Sequence, residues 1–254
     1  MPIIEKNHLA MQLGEIFSSL QGEGAYAGYR QVFVRLSGCN LRCRYCDTAN
    51  FHAAVPEAKM ERPDAPGIFD RFINPVSVIQ IAKHVNAMYS TRPHHSITIT
   101  GGEPLCQADA VVKLAACIES DAPLHLETNG VLVDSLRKVL PYISFVSMDI
   151  KLPSETGQDL FDVHREFLKI ARQRPLAVKI VITEAASEDE FRRAIRILKE
   201  IDRDVPLFLQ PAMGPDNKEF AVSWPKMFDF LDIAASCLND VRIMPQIHKF
   251  LKIL

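Results

Sequence analysis

The sequence predicts an α/β fold in which a parallel sheet of about six strand–helix units curls into a full or partial barrel. Three observations predict it. Short β-like runs alternate with helical patterns along the chain. The 254 residues, 48% of them hydrophobic, can fill the core of an α/β barrel, for which about 250 residues is an ordinary size. Polar residues and glycines gather at the C-terminal tips of the strands, the rim where parallel α/β folds bind ligands.

In chain order, the first strand is QVFVRL at 31–36. Segment 51–74 follows, and its Pro56, Pro63 and Pro66 break regular structure, so it reads as a solvated loop or as an inserted lid or partner-docking element. A helix runs from Pro75 to Tyr89, with Pro75 suited to its first turn. Strands SITIT (96–100), LHLE (124–127), ISFVSMDI (143–150) and LAVKIVIT (176–183) come next. A helix from Ser187 to Arg203 opens on a Ser187/Glu190 capping box and shows one apolar face of Phe191, Ala194, Ile195, Leu198 and Ile201. Strand VPLFLQ (205–210), a helix from Pro225 to Leu238 and strand VRIMP (241–245) complete the pattern. The strand tips read TGGEP, ETNG, SMDIK and QPAMG. Glu127 and Asp149 are acids ending otherwise apolar strands, which turn chemistry alone does not require. Lys179 shares a strand face with Ala177, Val181 and Thr183, so it must meet an anion or a route to water, either in a site or in a structural ion pair.

Composition excludes several classes. A net charge of −2 offers no basic field for nucleic acid. The opening MPIIEKNHLAMQL has no cationic segment followed by an apolar run, and no apolar stretch approaches the roughly 20 residues that span a bilayer. A soluble, cytoplasmic, single-domain protein over 1–254 is expected. Of six cysteines, three are scattered, and no disulfide framework is expected. Cys117 and Cys237 read as small buried helix residues, and Cys106 as a packing residue.

The other three, Cys39, Cys43 and Cys46, lie in SGCNLRCRYCDT with spacing C-x3-C-x2-C, so one loop can bring three thiolates to one metal centre. Structural zinc needs a fourth ligand; His52 is near, but no second C-x2-C or H-x3-H follows. A 4Fe–4S cubane held by three cysteines keeps one iron open to a ligand.

This spacing, an aromatic (Tyr45) before the last cysteine, and GGEP at 101–104 resemble the radical S-adenosylmethionine (SAM) enzymes. That resemblance implies a 4Fe–4S cluster whose open iron is chelated by SAM, and a 5′-deoxyadenosyl radical that removes a substrate hydrogen. Segment 14–48, with LQGEG and CDT, followed by TGGEP, ETNG, QPAMG and a C-terminal HKFLKIL, is similar to the 7-carboxy-7-deazaguanine synthase family over nearly the whole chain. The family resemblance implies a partial (βα)6 TIM-like barrel and a lyase of queuosine biosynthesis. It would convert 6-carboxy-5,6,7,8-tetrahydropterin to 7-carboxy-7-deazaguanine with loss of ammonia. SAM and Mg2+ would serve as cofactors, flavodoxin or ferredoxin as electron donor, and the enzyme would be a homodimer.

Carried over residue by residue, the resemblance implies cluster ligation by Cys39, Cys43 and Cys46. Leu20, Gln21, Gly22, Glu23, Arg35 and Thr100 would meet the pterin, with Arg35 clamping its carboxylate. Thr48 would ligate Mg2+. Gly102, Glu103, Glu127, Ser147, Asp149, Lys151, Gln210, Pro211, Ala212 and Met213 would surround SAM. The residues also allow plainer roles: Leu20 as core, Thr48 as a helix cap, Glu23 as a turn acid, and Arg35 paired with Asp47, itself a supporting group. His248 is the histidine to watch. Leu254 departs from homologues that end in a substrate-contacting proline. SMDIK also resembles glycyl-radical activating enzymes, one rival; a non-catalytic iron–sulfur or zinc module is another.

Overall fold

The computed structural model describes residues 9–119, 121–214 and 219–253. Its strands are β1 (Ala10–Met11), β2 (Leu13–Leu20), β3 (Arg30–Leu36), β4 (Glu57–Arg62), β5 (Ala65–Ile73), β6 (Val76–Ser77), β7 (Ser96–Gly101), β8 (Leu124–Thr128), β9 (Phe145–Asp149), β10 (Leu176–Ile182), β11 (Leu207–Pro211) and β12 (Val241–Ile243). The helices are α1 (Val78–Thr91), α2 (Ala108–Ala115), α3 (Val133–Val139), α4 (Pro153–Thr156), α5 (Phe161–Ala171), α6 (Glu188–Ile201), α7 (Trp224–Ala235) and α8 (Ile247–Leu251).

Strands β3, β7, β8, β9, β10, β11 and β12 pair in that order, all parallel. Helices α1, α2, α3, α5, α6 and α7 fill the successive crossovers, giving the six predicted strand–helix units and one further strand. The ten-stranded sheet runs from β12 at one end to β5 at the other, the open arrangement of a partial barrel. Its two faces differ. Val32, Val34, Ile97, Ile99, Leu126, Val146, Val178 and Leu209 belong to the large core that also takes in the helices. The opposite face holds only a small apolar cluster of Phe145, Ala177 and Phe208. The rest of that face is polar, and the strand register lines it up: Arg35 beside Thr100, Thr98 beside His125, Glu127 beside Ser147, Asp149 beside Lys179.

Three expectations change. Leu13–Leu20, unassigned in the sequence reading, is a strand antiparallel to β3, with Leu13, Ile16 and Phe17 buried. Segment 51–74 is not a loop: β4 and β5 form a hairpin, and β4 pairs parallel to β2, widening the sheet by two strands. Its prolines fit, because Pro56 precedes β4, Pro63 lies between the strands, and Pro66 falls where the ladder slips between Glu61 and Arg62 on the edge strand. Pro75 is not in a first helical turn, because Val76–Ser77 is held extended against β1 and α1 begins at Val78. Pro225, by contrast, does sit in the first turn of α7. Cys117 and Cys237 lie just beyond the ends of α2 and α7, half-buried and packed against the core, whereas Cys106 is exposed and not a packing residue. None of the six cysteines is paired in a disulfide. Among the described residues no helix is long and apolar enough to cross a membrane.

The capping box on α6 forms as read. The Ser187 side chain accepts from Glu190 N, and Ser187 N donates to Glu190 Oε1 at 2.6 Å. The other Glu190 oxygen accepts from Ser154 N at 2.9 Å, so the same residue ties α6 to α4. Phe191 stacks on Phe230 of α7 at 4.3 Å between ring centroids, fixing how the two helices pack. Replacing the cap, Ser187→Ala, should cost about 1 kcal/mol of unfolding free energy in a urea titration; an unchanged midpoint would show that the cap contributes nothing.

Candidate active site at the strand rim

The chain leaves β3 into the cysteine loop. Gly38 takes φ +98, and its N–H donates to Phe51 O at 2.9 Å. Cys39 N donates to His52 O at 3.0 Å, Arg44 N to Glu155 O at 3.0 Å, and Leu41 is buried beneath. Cys39, Cys43 and Cys46 are all half-buried. Burial raises the Cys39 and Cys43 thiols, and both also feel Cys46 and the Lys151 ammonium. Among the described residues, no three His, Cys, Asp or Glu side chains converge as a single-ion site. Three soft sulfur donors spread along one loop suit a polynuclear iron–sulfur cluster better than one tetrahedral zinc. His52, the candidate fourth zinc ligand, has Nε2 at 3.1 Å from Cys46 Sγ. Thr48 precedes the short helical turn Ala49–Phe51 but makes no cap hydrogen bond, so the helix-cap reading fails; its Oγ1 lies 3.7 Å from Cys46 Sγ.

The GGEP turn crosses directly over this loop. A Cβ on Gly101, which has φ +131, would lie 2.1 Å from Leu36 O, and one on Gly102 would lie 2.3 Å from Gly38 O. The room these glycines leave is therefore taken by the backbone of the cysteine loop. Glu103 is fully buried, and its carboxylate accepts from Leu105 N (3.0 Å), Thr128 Oγ1 (2.9 Å) and Asn129 N (2.7 Å). Burial pushes this carboxyl up to about 7 while the three donors pull it down. Its side chain is thus a fastener between the GGEP and ETNG turns. Asn129 Nδ2 in turn donates to Asn40 Oδ1 of the cysteine loop at 2.8 Å. The other amide atom, Asn129 Oδ1, is buried with no partner. An orphaned acceptor beside the cysteines fits a ligand carrying N–H or O–H groups, as SAM does.

Beneath the loop runs a chain of charges. Lys179 Nζ bonds Glu23 and lies 3.4 Å from Asp149 Oδ1. Asp149 Oδ2 accepts from Lys151 Nζ at 2.6 Å, and that ammonium sits 5.3 Å from the Tyr45 ring centroid. Burial pushes the Asp149 carboxyl up, but Lys151 and Lys179 outweigh it and hold the group below its ordinary value. For Lys179, burial is likewise outweighed by Asp149 and Glu23, which keep it charged. The buried lysine read from the sequence has thus found its anions. On the other side, Gln246 Nε2 donates to Glu23 Oε1 (2.6 Å) and Asp47 Oδ2 (2.9 Å), and Lys249 bonds Asp47 at 3.0 Å. Burial opposes ionisation of Asp47, but Lys249 and Gln246 bring it down to about 2. Because 42% of its side chain is exposed, solvent screens the ion pair and its stabilisation is small.

Gln21 Nε2 donates to Glu127 Oε1 (2.7 Å) and Gln31 Oε1 (3.1 Å), and Thr100 Oγ1 donates to Glu127 Oε2 (2.6 Å). Burial raises the Glu127 carboxyl, and Glu23 adds to the rise. A small open cleft lies here, lined among others by Gln21, Glu23, Tyr26, His125, Glu127 and Ser147. Leu20 ends β2 half-buried, so the core reading fails, and Glu23 is an ion-pair partner rather than a turn acid. Gly22 has a clear reason: a Cβ there would lie 1.9 Å from His248 Nδ1. Arg35 pairs through Nε with Glu15 at 2.9 Å, not with Asp47, and lies over Phe17. Gln210 is buried, with Nε2 3.5 Å from Glu23 Oε1; Pro211 and Ala212 are buried and Met213 half-buried. Leu254 lies outside the described residues. Sequence reasoning missed Gln246, Lys249, Glu15, Tyr26 and His125. The first two lie beside or within the C-terminal HKFLKIL stretch, which the family resemblance marked without giving either residue a role.

Residues 33–219 match the radical SAM superfamily. The chain is 40% identical over 246 residues to a 7-carboxy-7-deazaguanine synthase of Geobacter sulfurreducens, covering 94% of this chain and 96% of that one. It is 32% identical to the enzyme of the same name from Archaeoglobus fulgidus, covering 93% and 96%. The crystal structure of QueE from Escherichia coli shares the fold, with a TM-score of 0.60 at 18% identity, covering 95% of this chain and 96% of that one.

Two outcomes test this geometry. Glu103→Gln sets an amide N–H2 against a backbone N–H whichever way it turns, Asn129 N on one side or Leu105 N on the other, and should cost roughly 1–3 kcal/mol in chemical denaturation; unchanged stability would remove Glu103 as the fastener. Lys179→Met leaves Glu23 with only the Gln246 amide and Asp149 with only Lys151, and should cost about 3 kcal/mol at neutral pH. Asp149 is depressed in the fold, so its share of that stability is present above the ordinary carboxyl value of about 3.9 and is lost as pH falls below it. The gap between wild type and variant should therefore narrow in acid. A gap independent of pH down to about 3 would contradict the ion-pair account.

Proposed function

Because the chain belongs to the radical SAM superfamily, and within it to the 7-carboxy-7-deazaguanine synthase family, we infer that it converts 6-carboxy-5,6,7,8-tetrahydropterin to 7-carboxy-7-deazaguanine with loss of ammonia. It is a lyase using SAM and a 4Fe–4S cluster. One observation carries the reading at the level of geometry. The three-cysteine loop and the GGEP and ETNG turns meet at one rim of the sheet, and Gln21, Glu23 and Glu127, with Thr100 bonded to Glu127, line the polar face that continues below it.

Cys39, Cys43 and Cys46 would hold the cluster, which when bound supplies the electron that cleaves the sulfonium bond of SAM. The remaining work belongs to the chain. Removal of hydrogen from carbon 6 of the reduced pterin precedes ring contraction, so the pterin must be held still and dry. The Gln21 amide and the Glu23 carboxylate offer donor and acceptor atoms to its edge. The Arg35 guanidinium, already oriented by Glu15 and Phe17, suits the substrate carboxylate. The Thr48 hydroxyl, a hard oxygen donor, would ligate Mg2+, which would anchor and polarise that same carboxylate. Around SAM we assign Gly102, Ser147, Asp149, Lys151 and the stretch Gln210–Met213. Gly102 would act through its backbone, and Glu103 by holding the turn. Glu127 accepts from Gln21 and Thr100, and thereby joins the SAM side of the site to the pterin side.

The proposal extends to the setting. The whole chain acts as one radical SAM domain, as a homodimer in the cytoplasm, and takes electrons from a flavodoxin or ferredoxin. The exposed Arg42 and Arg44 beside the cluster loop suit an acidic donor.

Anaerobic turnover of reconstituted enzyme with 6-carboxytetrahydropterin should yield 7-carboxy-7-deazaguanine and 5′-deoxyadenosine. 5′-Deoxyadenosine without the deazaguanine would eliminate this substrate. Cys43→Ala should abolish the electron paramagnetic resonance signal of the reduced cluster, and an undiminished signal would remove Cys43 from the ligand set.

A further inference from the structure

The three cysteine sulfurs differ in what surrounds them. Cys39 Sγ accepts from Leu41 N at 3.5 Å, the backbone of its own loop. Cys43 feels the Lys151 ammonium, which is fixed by Asp149. Cys46 Sγ meets a side chain from outside the cysteine run, His52, at 3.1 Å from Nε2. His52 sits at the C-terminal end of the Ala49–Phe51 turn, and its N–H donates to Ala49 O at 3.1 Å. Its carbonyl accepts from Cys39 N at 3.0 Å. One residue therefore touches both ends of the loop: the first cysteine through its backbone and the last through its ring.

A cysteine sulfur bound to iron is a thiolate. It has no proton to give and accepts only. The imidazole nitrogen facing it must then carry the hydrogen, which selects the Nε2–H tautomer. Hydrogen bonds to cluster sulfurs draw off negative charge and favour the reduced cluster, so they raise its reduction potential and help retain it. We propose that His52 is a positioning residue for the cluster, donating from Nε2 to the Cys46 sulfur while its carbonyl closes the loop on Cys39. His52 touches neither pterin nor SAM in this assignment. It acts through Cys46, setting how readily the cluster accepts the electron that starts the reaction. The inference rests on the assignment of a 4Fe–4S cluster to Cys39, Cys43 and Cys46.

The test compares wild type, His52→Leu and His52→Gln, each reconstituted anaerobically, in a redox titration followed by electron paramagnetic resonance. Leucine keeps the backbone contact to Cys39 and removes the donor, while glutamine keeps a donor. The leucine variant should show a lower midpoint potential than wild type and lose iron to a chelator about tenfold faster. The glutamine variant should recover most of both properties. Circular dichroism melting distinguishes this from general loosening, because the leucine variant should melt with wild type. Equal midpoint potentials in wild type and His52→Leu would overturn the proposal. So would loss of the cluster from both variants alike, which would mark His52 as an iron ligand or a structural prop. Wild type that takes up no iron–sulfur cluster would overturn the functional reading itself.

Discussion

The arrangement at the rim depends on one physical demand: Lys179 stands in a strand with neighbours on both sides, and its ammonium cannot stay charged there alone. It takes Glu23 from the segment after β2 and Asp149 from the end of β9. Asp149 then holds Lys151, and Lys151 lies over Tyr45 in the cysteine loop. Glu23 holds Gln246, which reaches Asp47. Through this alternation of sign, the N-terminal segment, two barrel strands, the cysteine loop and the C-terminal helix are fixed to one another. Strands β9 and β10 already pair within the core, and the ion pairs and hydrogen bonds tie to them an N-terminal segment, a cysteine loop and a C-terminal helix that are far apart in sequence.

A second fastening works without net charge transfer between distant segments. Gly101 and Gly102 let the end of β7 lie directly on the backbone of the cysteine loop, and Glu103 gathers three donors from the turns on either side. The close approach that these glycines permit is to Leu36 and Gly38 of the protein itself. Gly22 follows the same logic, with His248 as the group that needs the space. In each case the small residue is required, and the partner in contact is another part of the chain.

The parallel half of the fold was legible because each of its strands is an apolar run of about the right length followed by a turn, and the period changes cleanly between strand and helix. Strand β2 was not, since Gly14, Ser18 and Ser19 dilute its alternation. The hairpin β4–β5 was hidden by prolines that an edge strand tolerates where its ladder slips. Motif residues were found because cysteine spacing, strand-end acids and a lone strand lysine each have a chemical reason that survives without coordinates. Glu15, Gln246 and Lys249 lack one. Their function comes only from what tertiary folding brings beside them, so no local pattern marks them. The rival zinc-module reading accounts for the cysteines alone, whereas the radical SAM match covers residues 33–219. The rival activating-enzyme reading rested on SMDIK alone, while the synthase resemblance extends over 94% of the chain.

The polar groups expected to bind ligands are already bonded to one another. Gln21 and Thr100 both spend their donors on Glu127, and Glu23 accepts from Lys179 and Gln246. A pterin or SAM entering the cleft must therefore exchange hydrogen bonds with the protein rather than fill empty ones, and the net gain per bond is small. What this arrangement secures is orientation. Each side chain is held in place before the ligand arrives, so little ordering remains to oppose binding. It also makes the two halves of the site dependent on each other. A ligand that takes a Glu127 oxygen frees Gln21 or Thr100 to turn toward the neighbouring ligand. Asn129 Oδ1, buried and unpartnered beside the cysteine loop, is different: a donor arriving there satisfies an acceptor that the protein leaves bare. Affinity should therefore concentrate near the cysteines and selectivity farther along the cleft, which is the division of labour expected when one site must hold a common cofactor and choose a particular substrate.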